Sequence, residues 1–341
     1  MKTLRVGVIG TGGIGRAHAE RLTKYIANAD VVAVNDINEA AAKATAEACG
    51  ARYEADPIAL IHADDVDAVL IASWDRTHEQ FVCETIEAGK FVFCEKPLSN
   101  TADGCRHVIE VEQKAGKRLL TVGFMRRYDK GYQQMREVIA SGRLGEVLMV
   151  HAQHRNAAPT GEKHTTVMSV SGALVHEFDI TRFLLDDEYV SAQMILPRST
   201  RNADEDLIDP QMVVLRTKKG IHIDLEIYMN CRYGYDIQCE VVGEEGTVRL
   251  PELANIAPMR VDGTRQHKIY TEWYKRFEDA YVYELRDWVD SALEGRAAGA
   301  SAWDGYVTSA VAEKCTEARL SDSVVKFDLG ERPAMYRTTE V

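Results

Sequence analysis

Short apolar runs separated by amphipathic or Ala-rich stretches fill the first third of the chain. The runs LRVGVIG (4–10), VVAVND (31–36), AVLIAS (68–73), FVFCE (91–95) and RLLTVGF (118–124) predict strands. The stretches separating them predict helices, and NEAAAKATAEACG stops on Gly50, where a helix C-cap belongs. DAVLIAS is apolar throughout after its first residue, the pattern of a parallel strand covered on both faces. Strand and helix alternating in this way predict a doubly wound sheet over residues 1–122.

From residue 123 the texture changes. EVLMVHAQHRN (146–156) predicts a long strand, and in IHIDLEIYMN (221–230) Ile221, Ile223, Leu225, Ile227 and Met229 alternate with polar residues, as in a sheet with two unlike faces. TKKG (217–220) and GEEG (243–246) predict hairpin turns. One helix is predicted at 172–185 and two more at about 275–294 and 303–319. The expectation is an α/β protein: a dinucleotide-binding domain of the Rossmann type over 1–122, then an α+β domain over 123–341 with a large, mostly antiparallel open sheet.

Composition narrows the function. The 341 residues are 45% hydrophobic and 28% charged, enough to bury real cores. Lys and Arg number 41 against 53 Asp and Glu, a formal net charge of -12, and no basic tract stands out. That balance argues against a nucleic-acid partner. No window approaches the length of a membrane span, and MKTLRVGVIG runs straight into a strand without an apolar leader core. The seven cysteines, Cys49, Cys83, Cys94, Cys105, Cys231, Cys239 and Cys315, are scattered and show no C-x-x-C spacing. They read as reduced thiols of a cytoplasmic protein, and no metal site is expected.

The first chemical motif is VGVIGTGGIGRAH. Gly10, Gly12 and Gly15 form G-x-G-x-x-G directly after the first strand, with Gly13 and Ile14 inside the same turn. Gly10 permits a tight turn, Gly12 lets the backbone approach a pyrophosphate, and Gly15 allows close helix–strand packing. The helix N-terminus offers its N–H groups to anionic oxygen. Asp36 ends the second strand, where a carboxylate accepts hydrogen bonds from ribose hydroxyls, and no arginine follows to hold a 2′-phosphate. NAD is therefore expected as cofactor rather than NADP. The alternative is a plain βα turn with an aspartate capping the next helix.

The second motif is KFVFCEKPLSN (90–100). Glu95-Lys96-Pro97 closes an apolar strand, and strand ends border the ligand crevice of such sheets. A lysine there can donate to a substrate hydroxyl or stabilise an alkoxide, and the proline can hold a cis peptide that aims it.

With the glycine fingerprint, E-K-P and a later H-x-x-D on a predicted helix, the chain resembles the Gfo/Idh/MocA oxidoreductases over nearly its whole length, and among them the bacterial inositol 2-dehydrogenases. The segments that carry the likeness are VGFMRRYDKGY (122–132), HRN (154–156), VHEFDITRFLLDDEYVS (175–191), YMNCRYGYDIQCEVVGEEGTVRLP (228–251) and AWDGY (302–306). The resemblance implies oxidation of a ring hydroxyl of inositol or a related cyclitol to a ketone. In that reading Lys96 contacts the reacting hydroxyl and His176 is the general base. Arg126, His154, Asn156, Asp179 and Tyr235 would line the polyol pocket. Ser73, Trp74 and His78 would lie along the cofactor, with Glu95 beside it. A homotetramer formed through the open sheets is also implied.

One position departs from that pattern. The resemblance implies an aspartate four residues before the histidine, on the same helix face, and this chain has Gly172 there. Three outcomes are open: a slower enzyme that depends more on Lys96, an imidazole oriented by Asp179 or a water, or room at Gly172 for a substrate substituent. Two rivals remain at the level of sequence: an NAD(P)-dependent dehydrogenase of a pyranose sugar, and a non-catalytic NAD(H)-binding sensor.

Overall fold

The structure is a computed structural model that describes residues 2–157, 164–252, 259–266 and 268–337. Six parallel strands, β1 (Leu4–Ile9), β2 (Ala29–Asn35), β3 (Arg52–Tyr53), β4 (Ala68–Ile71), β5 (Phe91–Glu95) and β6 (Leu120–Gly123), lie in the order β3-β2-β1-β4-β5-β6. This is the doubly wound order, in which the strand order reverses between β1 and β4. Every residue of β4 is buried, as its uninterrupted apolar run requires. Asn38 caps the helix Glu39–Cys49 by accepting from the Ala41 N–H, and Gly50 closes it at φ 70°. The two-residue β3 is too short for any periodicity to announce it.

A second sheet follows. It comprises β7 (Val147–Arg155), β8 (Tyr189–Ile195), β9 (Gln211–Thr217), β10 (His222–Tyr228), β11 (Asp236–Gly243) and β12 (Thr247–Arg249). A small separate hairpin, β13 (Met259–Val261) with β14 (Thr264–Gln266), precedes the last strand, β15 (Val325–Lys326). The order β12-β11-β7-β10-β9-β8-β15 is antiparallel except for β7 beside β10. Ile221, Ile223, Leu225, Ile227 and Met229 are all buried, and both predicted hairpin turns are present. Gly220 takes φ 88° in the first of them.

The chain divides into two compact units. The first holds the residues up to Met125, Asp279–Ala310 and those after Gly330, and the second holds Arg126–Glu278 and Val311–Leu329. The first unit therefore includes more than the 1–122 read from sequence. The helix Glu278–Leu293 inserts Leu285, Trp288 and Val289 into the same buried cluster as Val6, Val8, Leu22, Leu70 and Phe93. Trp288 is 1% exposed, with its ring 5.6 Å from that of Phe93. Truncating a buried side chain of that size costs about 3–5 kcal/mol, which is what holds this distant segment on the Rossmann sheet. Among the described residues, no helix is long and apolar enough to cross a membrane. The seven cysteines form no disulfide, and all but Cys49 are buried.

Candidate active site

In the first unit Gly10 and Gly15 meet the steric demands their spacing suggests. Gly10 has φ 95°, and a Cβ there would lie 2.4 Å from the Ala72 carbonyl carbon. A Cβ on Gly15 would lie 2.1 Å from the Gly10 oxygen, so that position holds the first helix, Gly13–Tyr25, against the turn. Gly12 and Gly13 are exposed, with nothing within 4 Å of where a Cβ would sit. Gly12 precedes that helix without a side-chain cap, so its first N–H groups are not claimed by one. Asp36 accepts from the Thr11 N–H at 2.5 Å and the Thr11 hydroxyl at 3.0 Å, which ties the glycine turn to the end of β2. Its other oxygen accepts from the Asn38 N–H at 2.7 Å. A bare cradle for phosphate backed by a carboxylate at ribose distance from the turn fits a dinucleotide without a 2′-phosphate.

At the end of β4, Ser73 meets the Thr77 hydroxyl at 2.7 Å, and Trp74 is 65% exposed with the Arg76 guanidinium 4.7 Å above its ring. His78 is buried and bridges two carbonyls, Pro97 O at 2.7 Å and Ser73 O at 3.1 Å. It braces the turn after Lys96 against the end of β4. Lys96 is half-buried, and the Lys96–Pro97 peptide is cis.

Glu95 is buried one residue before. One oxygen meets His18 Nε2 at 2.7 Å, and the other accepts from the Lys96 N–H at 3.2 Å. Burial works to raise the Glu95 pKa, but the His18 hydrogen bond and the Lys96 charge outweigh it and hold the carboxyl below its usual range. His18 itself is pushed down, chiefly by its complete burial.

The second unit holds a buried polar cluster assembled from separate elements. Arg126 and Glu177 are each 1% exposed and form an ion pair through Arg126 NH1 and Glu177 Oε1. His154, near the end of β7, lies with Nδ1 2.8 Å from Glu177 Oε2 and 3.3 Å from Arg126 NH2. One ring nitrogen cannot donate to a carboxylate and accept from a guanidinium at once. The shorter contact to the carboxylate makes Nδ1 the donor to Glu177. Burial alone would raise the Glu177 pKa, yet the Arg126 charge and His154 hold it below the ordinary range. Tyr235 stands edge-on to His154 with ring centres 5.7 Å apart, and burial pushes its phenol up. Burial likewise pushes the Cys239 thiol up to about 12, so it is inert packing.

Asp179 receives Arg127 through both oxygens, Nε at 2.9 Å and NH2 at 2.5 Å. Asn156 is half-buried and its backbone N–H donates to Tyr228 O at 2.8 Å. His176 is buried in the first turn of the helix Val175–Leu185. A single π-helical turn, Ser169–Leu174, precedes that helix and contains Gly172. Among the described residues outside its own helix backbone, none comes within 4 Å of where a Cβ on Gly172 would be. Arg126, His154 and Tyr235 are therefore gathered in one cluster, while Asp179 belongs to a neighbouring ion pair. Glu177, Arg127, His18 and Arg21 were not singled out from sequence. Only the H-x-x-R spacing at 18–21, after the third glycine, could have signalled the last two.

Residues 4–124 match the oxidoreductase family's NAD-binding Rossmann fold, and residues 136–327 match its C-terminal alpha/beta domain. Curated relatives include inositol 2-dehydrogenases of Serratia proteamaculans, 49% identical over 337 residues, and of Azotobacter vinelandii, 49% identical over 336 residues. Each alignment covers 98% of this chain and 99% of the relative. A solved structure of myo-inositol dehydrogenase from Lactobacillus casei in complex with NAD(H) and myo-inositol superposes with a TM-score of 0.95 at 35% identity, covering 98% of this chain and 100% of that one. The two domain matches, the glycine cradle with Asp36 and the relatives aligned end to end agree: the chain belongs to the Gfo/Idh/MocA oxidoreductase family.

Proposed function

We propose that this protein is an NAD-dependent dehydrogenase that oxidises a ring hydroxyl of an inositol, or of a closely related cyclitol, to the ketone. The observation that carries this reading is near-half identity, over essentially the full length of both chains, to proteins named inositol 2-dehydrogenase. The bare phosphate cradle and Asp36 support NAD as the cofactor, which when bound supplies the hydride acceptor. Lys96 donates to the reacting hydroxyl and stabilises the developing alkoxide, and His176 takes the proton as general base. Arg126, His154, Asn156, Asp179 and Tyr235 form the polar wall that a polyol needs, with Glu177 and Arg127 holding their partners in place.

Gly172, standing where the resemblance implies an aspartate, favours a cyclitol bearing a substituent over unsubstituted myo-inositol. The protein acts as a cytoplasmic homotetramer. The polar face of the second sheet supports that assembly, with Arg155 bridging Glu226 and Asp236, and Leu148 and Met149 exposed on β7.

Purified protein with NAD is assayed for NADH absorbance on a panel of inositols, amino- and O-methyl-cyclitols and pyranose sugars, beside Gly172→Asp and Lys96→Ala. Turnover of a substituted cyclitol is expected, shifting toward myo-inositol in Gly172→Asp and lost in Lys96→Ala. Tight NAD binding with no turnover of any compound would overturn the reading in favour of a sensor.

A further inference from the structure

The first helix opens on the phosphate cradle and, in its second turn, presents His18 to the strand that ends at Glu95, one residue before Lys96. His18 is fully buried, edge-on to Phe93 at 5.7 Å and to Tyr281 at 5.6 Å between ring centres. Three residues on, Arg21 is also buried, stacked 4.6 Å over the Tyr281 ring, and its NH1 lies 3.3 Å from His18 Nδ1. A guanidinium can only donate. His18 Nδ1 is therefore the acceptor, and the ring hydrogen sits on Nε2, 2.7 Å from Glu95. Glu95 in turn spends its second oxygen on the Lys96 N–H. The result is a directed chain, Arg21 to His18 to Glu95 to the Lys96 backbone, closed off from water.

We propose that His18, set in its Nε2–H form by Arg21, is a positioning residue that fixes the Lys96 backbone through Glu95 and so couples the cofactor-cradling helix to the reacting amine. The proposal rests on the reading of Lys96 given above. Phe93 and Tyr281 flank His18 with aromatic rings, and a buried carboxylate in that setting is costly unless it is paired, as Glu95 is with His18 and the Lys96 N–H. The histidine can transmit position because both of its ring nitrogens are committed.

The test compares His18→Leu and His18→Gln with wild type and with Lys96→Ala. The Gln amide N–H can still donate to Glu95, whereas Leu cannot. His18→Leu should lower kcat about 10–100-fold, the usual consequence of a reacting group displaced by a fraction of an ångström to an ångström, with KM for NAD within about twofold. It should also move the acid limb of the kcat–pH profile. His18→Gln should restore most of kcat and the wild-type pH profile. Nitrogen NMR of labelled histidine in the wild type should show His18 protonated at Nε2 alone near neutral pH.

A wild-type kcat and pH profile in His18→Leu overturns the proposal, as does a fully protonated or Nδ1–H His18. Equal losses in His18→Leu and His18→Gln, tracking a common fall in melting temperature, assign the histidine to structure alone and overturn it too. Full turnover in Lys96→Ala defeats the reading of Lys96 itself. Loss of turnover there with an unaffected His18→Leu defeats only the coupling.

Discussion

Glu177→Gln is the sharpest perturbation of the buried cluster. It keeps the side chain's shape and removes its charge. Arg126, 1% exposed, would lose its carboxylate, and an amide N–H would be turned toward either the guanidinium or the His154 ring. Removing one partner of a buried pair costs about 3–5 kcal/mol, because the survivor keeps its desolvation penalty without compensation. At about 2–4 °C per kcal/mol for a domain of 150–250 residues, that is a fall of roughly 6–20 °C in melting temperature.

Urea unfolding followed by near-ultraviolet circular dichroism should show the loss as a lower midpoint at unchanged slope. The double variant Arg126→Met with Glu177→Leu should be less destabilised than the sum of its singles by at least about 1 kcal/mol, since neither charge is left buried alone. A Glu177→Gln midpoint within about 1 kcal/mol of wild type, or strict additivity in that cycle, would refute the buried pair as a mutual dependency.

Two further outcomes follow from the other unit. Asp36→Ala removes the carboxylate expected at the ribose hydroxyls and unties the turn from Thr11 and Asn38, so KM for NAD should rise about tenfold or more, the worth of a charged hydrogen bond at about 1.5 kcal/mol, while that for NADP falls; an unchanged NAD-to-NADP preference in steady-state kinetics would contradict it. The pH dependence of stability follows from His18, whose folded pKa is depressed. On acidification the unfolded imidazole takes up its proton first, near its ordinary pKa of about 6.5, so stability is full above that pH and falls below it. Glu95 and Glu177, also depressed, add a second loss below about pH 4.3, opposed by Glu112, which burial holds above its usual range. Melting temperatures from pH 8 to 2 should show both stages, and His18→Gln should lessen the first.

Local pattern was enough to determine five of the six strands of the first sheet, the Gly50 cap, the two hairpin turns and the alternation of β10. Each is set by residues adjacent in the chain, through backbone stereochemistry or by which face a side chain presents. The glycine turn was legible for the same reason, since steric demands at Gly10 and Gly15 are local. Periodicity says which face is buried and not what it is buried against. Only the tertiary structure could therefore join Trp288 to the Rossmann core, or bring Arg126, His154 and Glu177 together from three elements. A lone charged residue in sequence reads as solvated, because burying it is unfavourable until a distant partner arrives. Glu177 and Arg21 were therefore invisible until the fold supplied theirs.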